Sequence, residues 1–234
     1  AQTLRDLTEA VKGKGIDAAA IETRREILTS SHNALVENKK AQRIEARQKT
    51  PIDPLWLCEA LNNVMPDGVI YIDEVTTHTG LLRQHLDWNR PQSLFTRQGG
   101  LGQGLGLSLG IKLAKPDRPV VTLIGDGAFL YNPALGALGA ARDFSLPTLS
   151  VIFNNKKYAA MQGMHLQMYP DGTAVDTDTY HGTHINAPEF AKVADAFGAY
   201  GEQVIDPEDL EAALARGLQA TKGGKSAILD VVVG

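Results

Sequence analysis

Apolar residues occur in two alternating kinds of run along most of this chain. Short continuous runs, such as Val120-Val121-Thr122-Leu123-Ile124, are typical of strands that are buried on both faces of a sheet. Longer runs with apolar residues three or four positions apart are typical of amphipathic helices. We predict strands at 69–73, 93–96, 120–124, 148–153, 200–204 and 226–232, and helices at 54–65, 79–86, 101–114, 133–142, 187–197 and 207–220.

This alternation predicts an α/β fold, with a parallel sheet covered by helices on both faces. Two more helices are predicted before it, at 4–11 and at roughly 17–48, and the second is highly charged. We interpret residues 1–50 as the helical tail of a preceding domain with a linker, and residues 51–234 as the main domain. Because the chain begins at Ala1 without an initiator Met, we also expect it to be the C-terminal part of a longer polypeptide.

Composition and charge exclude several classes of protein. With 43% hydrophobic residues among 234, the chain can bury a substantial core. The net charge of −4 and the scattered Lys and Arg residues disfavour nucleic acid as a partner. No apolar run approaches the roughly 18 residues that a membrane span needs, and we identify no signal peptide before the first polar helix. The single cysteine, Cys58, excludes an intrachain disulfide, so we predict a soluble, cytoplasmic protein.

Two polar turns follow two of the predicted buried strands. Gly125-Asp126-Gly127 follows the strand at 120–124, and Asn154-Asn155 follows the strand at 148–153. The 26 residues between the two turns suffice for one helix and one returning strand of a parallel sheet. The two turns are therefore expected to meet at the carboxyl edge of the sheet, where open α/β sheets bind ligands.

The residues that meet there are suited to a magnesium ion. A carboxylate from Asp126, a primary amide from Asn155 and backbone freed by glycine form an all-oxygen set, which Mg²⁺ prefers when it holds a diphosphate. Zinc would favour His or Cys instead. Backbone N–H groups at Gly127 and Ala128 can face phosphate oxygens. We therefore predict Asp126 and Asn155 as metal ligands and Gly127 and Ala128 as diphosphate contacts.

The spacing of Gly-Asp-Gly and Asn-Asn resembles the signature of thiamine diphosphate (ThDP) enzymes. From residue 51 to 234 the chain is similar, in order and spacing, to the diphosphate-binding domain of the acetolactate synthase and benzoylformate decarboxylase group. The resemblance implies a ThDP-binding fold with ThDP and Mg²⁺ as cofactors. A nicotinamide or ATP site is disfavoured, because the glycine-rich stretch at 99–106 does not complete G-x-G-x-x-G and Gly224-Lys225-Ser226 does not complete a P-loop.

The resemblance also implies roles for individual residues. The backbone carbonyl of Lys157 is implied as the third protein ligand of Mg²⁺, the carbonyl of Gly99 as a contact of the aminopyrimidine, and Leu101 as the wedge beneath the bent cofactor. Hydroxyl residues after the first strand are implied at the diphosphate, although they can also serve as helix N-caps. The implied cofactor contacts are Thr76, Thr77, Gly99, Leu101, Gly127, Ala128 and Tyr158, and the candidates to touch substrate are Ala160 and Met161.

The segment at 164–186 is long, weakly patterned and rich in Gly, Asp, Thr and His, which suits an active-site lid. His165, His181 and His184 lie within it. With Asp176 and Asp178 nearby, His181 and His184 can imitate a metal site, but solvated loop histidines are the simpler interpretation. A catalytic histidine in the lid is a further alternative.

By the resemblance, the chain belongs to a ThDP- and Mg²⁺-dependent enzyme that cleaves or forms C–C bonds of 2-oxo acids or related carbonyl substrates. This covers a decarboxylase, a lyase or carboligase, and an acetolactate synthase-type transferase. The activating glutamate of this family comes from a pyrimidine-binding domain of the same or a neighbouring subunit, and we find no match to that domain here. We therefore assign no catalytic residue, expect a homodimer or homotetramer, and leave open the exact substrate and whether FAD binds. The alternative from another class is a non-catalytic ThDP-binding domain with a regulatory or assembly role.

Overall fold

The computed structural model describes residues 2–15, 17–96, 99–187 and 189–234. The chain forms two compact units, Ala1–Ile44 and Glu45–Gly234. The first unit contains helix α1 (Gln2–Lys12) and most of helix α2 (Ala18–Ala46). Within the described ranges, no helix is long and apolar enough to cross a membrane.

The second unit alternates helices and strands. Its strands are β1 (Ile70–Glu74), β2 (Leu94–Thr96), β3 (Val120–Gly125), β4 (Leu149–Asn154), β5 (Tyr200–Val204) and β6 (Ala227–Val232). Its helices are α3 (Pro54–Val64), α4 (Thr79–His85), α5 (Gly104–Ala114), α6 (Asp126–Tyr131), α7 (Ala134–Asp143), α8 (Ala159–Met168), α9 (Thr173–Asp176) and α10 (Leu210–Lys222).

The six strands form one parallel sheet in the order β2-β1-β3-β4-β6-β5. Successive residues of a strand face opposite sides, so the central strands are buried on both faces. Val121 and Leu123 pack in the core with α3 and α10, whereas Ile124 packs with α5, α6 and α7. The predicted α/β fold with helices on both faces is therefore confirmed.

The strand order reverses between β1 and β3. From β1 the chain moves to β2 on one side, then returns to place β3 on the other side. Open parallel sheets bind ligands outside the carboxyl ends of strands at such a switch point. Here those ends are Glu74 in β1 and Gly125 in β3, which pair with Ile124 and Phe153 respectively.

Two predicted helices differ in the structure. The predicted helix at 187–197 is replaced by two 3₁₀ segments, Phe190–Val193 and Asp195–Phe197. This part of the chain lies close against β5, because a Cβ on Gly201 would come within 2.1 Å of the Ala191 carbonyl oxygen. The predicted helix at 101–114 begins only at Gly104, where the backbone N–H is held by the side chain of Glu74.

Candidate functional site

A cavity of about 200 Å³ opens at the carboxyl edge of the sheet, at the switch point. Four loops line it: those after β1, β3 and β4, and the glycine-rich stretch before α5. The cavity brings together every site residue that the sequence predicts. These are Thr76, Thr77, Gly99, Leu101, Asp126, Gly127, Ala128, Asn155, Lys157, Tyr158, Ala160 and Met161.

Asp126 is the first residue of α6 and is only 3% exposed. Its Oδ1 accepts a hydrogen bond from the Gly127 N–H at 2.8 Å, while its buried Oδ2 has no partner among the described residues. Burial raises the pKa of Asp126, opposed by the backbone N–H groups of Gly127, Lys156 and Lys157. A buried carboxylate oxygen without a partner is costly unless a cation meets it. Asp126 thus has the burial and free acceptor of a metal ligand.

The turn after β4 carries Asn155 and Lys157 into the cavity. Lys156 has a φ of 58°, in the left-handed region that few residues other than glycine adopt. The Lys156 N–H donates to Asn154 Oδ1 at 3.2 Å, and the Lys157 N–H donates to Asn155 Oδ1 at 3.1 Å. An amide oxygen accepts two hydrogen bonds or ligands, so Asn155 Oδ1 keeps one lone pair.

The backbone carbonyl of Lys157 is not used by the short antiparallel bridge in which this residue takes part. Lys157 forms an isolated antiparallel bridge with His184. The two hydrogen bonds of this bridge use the flanking residues, from the Tyr158 N–H to the Thr183 carbonyl at 2.7 Å and from the Ile185 N–H to the Lys156 carbonyl at 2.9 Å. The Lys157 carbonyl therefore takes no part in them and points to the side away from His184, because successive carbonyls alternate in direction.

Glu74, at the end of β1, is fully buried and fixes the glycine-rich stretch. Its Oε1 accepts from the N–H groups of Gly102 (2.7 Å) and Gln103 (3.1 Å). Its Oε2 accepts from the Gly104 N–H (2.8 Å) and from Asn132 Nδ2 (2.9 Å). A helix leaves its first N–H groups unsatisfied. One carboxylate here accepts from three successive N–H groups, which belong to Gly102, the N-cap residue Gln103 and the first helical residue Gly104. For this reason α5 begins at Gly104 and not at Leu101.

Asn132 completes the cap, because its Oδ1 accepts from the Leu105 N–H at 3.1 Å. Gly104 leaves room for the arrangement, since a Cβ there would lie 2.5 Å from Glu74 Oε2. Sequence reasoning missed the role of Glu74. Its signal was present in the sequence as a second acidic residue, after Asp73, at the end of the buried strand that begins Ile70-Tyr71-Ile72.

Asp73 shapes the loop that carries the two threonines. Its Oδ1 accepts from the Val75 N–H and from Thr79 Oγ1, both at 3.1 Å. This turn leaves Thr76 and Thr77 exposed at the rim of the cavity. Neither threonine caps α4 through its side chain, because the N-cap position is His78.

His78 is a second residue that sequence reasoning missed. It lines the cavity, with its ring 5.8 Å from that of Phe153. Its Nε2 is buried and has no hydrogen-bond partner within the described ranges. Burial lowers the pKa of His78, opposed by the charge of Asp53. The only sequence signal was its place directly after the threonines.

Tyr158 lies directly on Gly127. A Cβ on Gly127 would overlap Tyr158 Cε1, so a larger residue there would require the Tyr158 ring to move. The Tyr158 ring also makes an edge contact with Tyr131, at 6.5 Å between centroids. The glycine of the Gly-Asp-Gly turn thus lets this ring lie directly on the backbone.

The predicted lid is partly helical, since α8 covers Ala159–Met168 and α9 covers Thr173–Asp176. His165 packs between Tyr169 and Tyr180, with ring centroids 5.5 and 5.7 Å apart. His181 and His184 are exposed, and the described part of the chain contains no group of three His, Cys, Asp or Glu residues that could hold a metal ion. The lid histidines do not line the cavity.

Fold and site define an α/β domain that presents oxygen ligands and close-approach backbone at a topological switch point. The family described as "Thiamine pyrophosphate enzyme, C-terminal TPP binding domain" matches residues 74–231. The chain belongs to this family, and its cofactor is therefore ThDP, which the family uses together with Mg²⁺. The oxygen donors and the partnerless Oδ2 of Asp126 fit that ion.

Known relatives are similar over about three quarters of the chain. The acetolactate synthase catalytic subunit of Aspergillus candidus is 34% identical over 186 residues, which cover 75% of this chain and 25% of that protein. The benzoylformate decarboxylase of Pseudomonas aeruginosa is 27% identical, covering 76% of this chain and 32% of that protein. A solved ThDP-dependent 4-hydroxybenzoylformate decarboxylase from Rhodococcus jostii RHA1 superimposes with a TM-score of 0.69 and 28% identity, covering 80% of this chain and 33% of that chain. This chain thus spans a quarter to a third of the length of these relatives.

Replacing Glu74 by Gln is expected to lower the free energy of unfolding by about 2–3 kcal/mol, because an amide offers fewer acceptors to the donors that it must meet. Urea unfolding measures the change. The matched control is Glu211→Gln, at a carboxylate that meets Asn63 Nδ2 on the surface at 2.8 Å, with a change within about 0.5 kcal/mol. Equal midpoints for the two variants would contradict the capping role.

Replacing Asp126 by Asn is expected to stabilise the metal-free chain at pH 7. The pKa of an aspartate in an unfolded chain is about 3.9. Burial raises the pKa of Asp126 above this value in the folded chain. The contribution of this carboxyl to the stability of the wild type is therefore lost as the pH rises through the folded pKa. The Asn variant has no such group and avoids that loss.

In EDTA at pH 7, thermal unfolding should give the Asp126→Asn variant a higher Tm than the wild type, because its amide cannot ionise. At pH 3 the two Tm values should agree, because the carboxyl is then protonated in both states. A wild type that is the more stable at pH 7 would refute the interpretation.

Proposed function

We propose that this chain supplies the diphosphate- and Mg²⁺-binding half of the active site of an enzyme that cleaves or forms C–C bonds of 2-oxo acids or related carbonyl substrates. The observation that carries the proposal is the buried Asp126 Oδ2, which has no protein partner among the described residues and shares its cavity with Asn155 and Lys157. The relatives of this chain include proteins named as acetolactate synthases and benzoylformate decarboxylases. The proposal therefore covers a decarboxylase, a lyase or carboligase, and a synthase-type transferase.

Mg²⁺ would be held by Asp126, by the side-chain oxygen of Asn155 and by the backbone carbonyl of Lys157. Mg²⁺ in proteins takes few protein ligands and completes its shell with water and phosphate oxygens. The diphosphate would lie against the hydroxyls of Thr76 and Thr77. We add His78 to this side of the cavity, because its buried Nε2 needs a hydrogen-bond partner.

The remaining cavity residues would orient the organic part of the cofactor. Gly127 and Ala128 would allow close approach of the backbone, and Gly99 would direct its carbonyl to the aminopyrimidine. Gly99 has a φ of 81°, a conformation that favours glycine and aims the peptide groups of this stretch. Leu101 would support the bent cofactor from below, and Tyr158 would cover it from the side of α8.

When bound, ThDP supplies a carbon nucleophile and the electron sink for C–C bond cleavage. The protein's contribution is orientation, held charge and exclusion of water. Ala160 and Met161, at the start of α8, would touch substrate. The Met161 side chain is 58% exposed and so is accessible to a molecule in the cavity. An apolar wall of this kind suits the organic part of a 2-oxo acid.

Turnover would need a glutamate at the pyrimidine from another domain. Glu74 cannot take that role, since both of its oxygens already serve four donors and it is fully buried. The partner would be a pyrimidine-binding domain of the same polypeptide or of a neighbouring subunit, in a homodimer or homotetramer. The chain would work within a longer polypeptide in a reducing compartment such as the cytoplasm, which fits its single buried cysteine, Cys58.

Calorimetric titration of the chain with ThDP, first with Mg²⁺ and then with EDTA, tests the assignment. We expect binding that depends on Mg²⁺ and that Asp126→Ala abolishes while far-ultraviolet circular dichroism stays unchanged. Asp143→Ala, at an exposed carboxylate paired with Arg142, is the matched control and should bind like the wild type. Unchanged affinity in Asp126→Ala would refute the metal assignment, as would a complete polypeptide that fails to bind.

The wedge role of Leu101 predicts a split between turnover and affinity. In the complete enzyme, Leu101→Ala should reduce kcat with a 2-oxo acid by about 10-fold or more, since misplacement of reacting groups affects the transition state most. The dissociation constant for ThDP should change by no more than about 3-fold, because the metal and diphosphate contacts remain, a difference below 1 kcal/mol. Equal losses in kcat and affinity would indicate simple packing.

A further inference from the structure

Asp230 is an acidic residue inside the sheet of the second unit. It lies in β6 between β4 and β5, opposite Ile152 and Gln203, and it is fully buried. Its carboxylate accepts from Asn154 Nδ2 at 2.8 Å, from Gln203 Nε2 at 3.0 Å and from the Phe190 N–H at 3.2 Å. Replacing a buried charge network with apolar residues often stabilises a protein, so burial of this carboxylate indicates a purpose other than stability.

One oxygen of Asp230 determines how the amide of Asn154 is oriented. An ionised carboxylate only accepts hydrogen bonds, so Asn154 must turn its Nδ2 toward Asp230 Oδ1. The amide oxygen of Asn154 then faces the next turn, where it accepts from the Lys156 N–H at 3.2 Å. That bond stabilises the left-handed conformation of Lys156, with its φ of 58°.

The conformation of Lys156 sets the positions of its two neighbours. Asn155 precedes it and Lys157 follows it, and both line the cavity beside Asp126. A residue at Lys156 with an ordinary φ would send the backbone of Lys157 in another direction. The hydrogen-bond relay from Asp230 through Asn154 thus controls the two ligand groups that come from this turn.

The other oxygen of Asp230 is connected, through Phe190 and Phe129, to the helix that begins with Asp126. It holds the N–H of Phe190, whose ring makes an edge contact with Phe129 at 5.3 Å between centroids. Phe129 belongs to α6, the helix that begins with Asp126. One carboxylate therefore supports both sides of the site, although it does not line the cavity itself.

We propose that Asp230 is a positioning residue that sets the Mg²⁺ affinity of the site by fixing the amide of Asn154. The proposal rests on the proposed function, because it needs Asn155 and Lys157 to be metal ligands. Partners that orient metal ligands typically change metal affinity by about 10- to 100-fold when they are lost.

The experiment measures the apparent Mg²⁺ dissociation constant at saturating ThDP, by calorimetry, together with Tm in EDTA. Asp230→Asn should weaken Mg²⁺ binding by about 10-fold or more, because two amide donors then oppose each other. The exchange variant Asp230→Asn with Asn154→Asp restores a donor opposite an acceptor and keeps an acceptor for the Lys156 N–H. It should return to within about 3-fold of the wild type, a difference below 1 kcal/mol.

Gln203→Ala is the matched control. It removes one hydrogen bond from the same carboxylate but leaves the bond to Asn154 in place. We expect a lower Tm with a Mg²⁺ affinity within about 3-fold of the wild type, which separates loss of stability from loss of positioning. A parallel loss of affinity in this control would overturn the proposal.

If Asp230→Asn does not fold, Asn154→Ala tests the same relay while leaving Asp230 bonded to Phe190 and Gln203. An unchanged Mg²⁺ affinity in either folded single variant overturns the proposal, as does a folded exchange variant that binds no better than the single variants. A wild type that does not bind Mg²⁺ with ThDP refutes the proposed function instead, so the two failures are distinguishable.

Discussion

The buried carboxylate of Glu74 is the interaction on which the geometry of the cavity depends. It stands where β1 ends, at the switch point, and it reaches across to the start of α5. By holding three successive N–H groups it sets where the helix begins and which residues remain as loop. Leu101 and the glycines before it are available to the cavity because α5 begins only at Gly104, where this carboxylate holds the backbone.

The buried carboxylates of Glu74, Asp126 and Asp230, in or behind the site, differ in how fully their oxygens are hydrogen bonded. Glu74 and Asp230 have every oxygen hydrogen bonded, and they act as fixed braces. Asp126 has one oxygen without a partner among the described residues, and burial raises its pKa. Backbone strain and unpaired polar atoms tend to lie where a ligand completes the structure. Here the strained backbone is at Lys156 and the unpaired oxygen is at Asp126.

Local patterns predicted much of this structure. The apolar run at 120–124 and the turn after it fixed the position of Asp126, because strand burial and turn chemistry are local properties. The predicted start of α5 at Leu101 was wrong, since helix propensity gives no information about a carboxylate 28 to 30 residues earlier that accepts hydrogen bonds from these N–H groups. The 3₁₀ winding at Phe190 was missed for the same reason, as it depends on Asp230 and on the close approach at Gly201.

The roles of Glu74, His78 and Asp230 were also beyond sequence reasoning. Glu74 and Asp230 act through partners that are distant in sequence, such as Asn154 and Asp230, which are 76 residues apart. A single sequence shows which residues can ionise, but only the fold shows which of them are buried together. The positions that the ThDP-enzyme resemblance implied were those tied to motifs of fixed spacing.

The cap on α5 has a consequence for how the cofactor is admitted. The positive end of this helix, which elsewhere attracts anions, is already neutralised by Glu74. An anionic diphosphate that arrived alone would meet the charges of Asp126 and, behind them, Asp230 and Glu74. On the proposed assignment, a divalent cation at Asp126 would offset that negative charge, so the diphosphate would enter the pocket together with the metal. The fraction of sites occupied by ThDP would then depend on the concentration of free Mg²⁺ as strongly as on the concentration of ThDP itself.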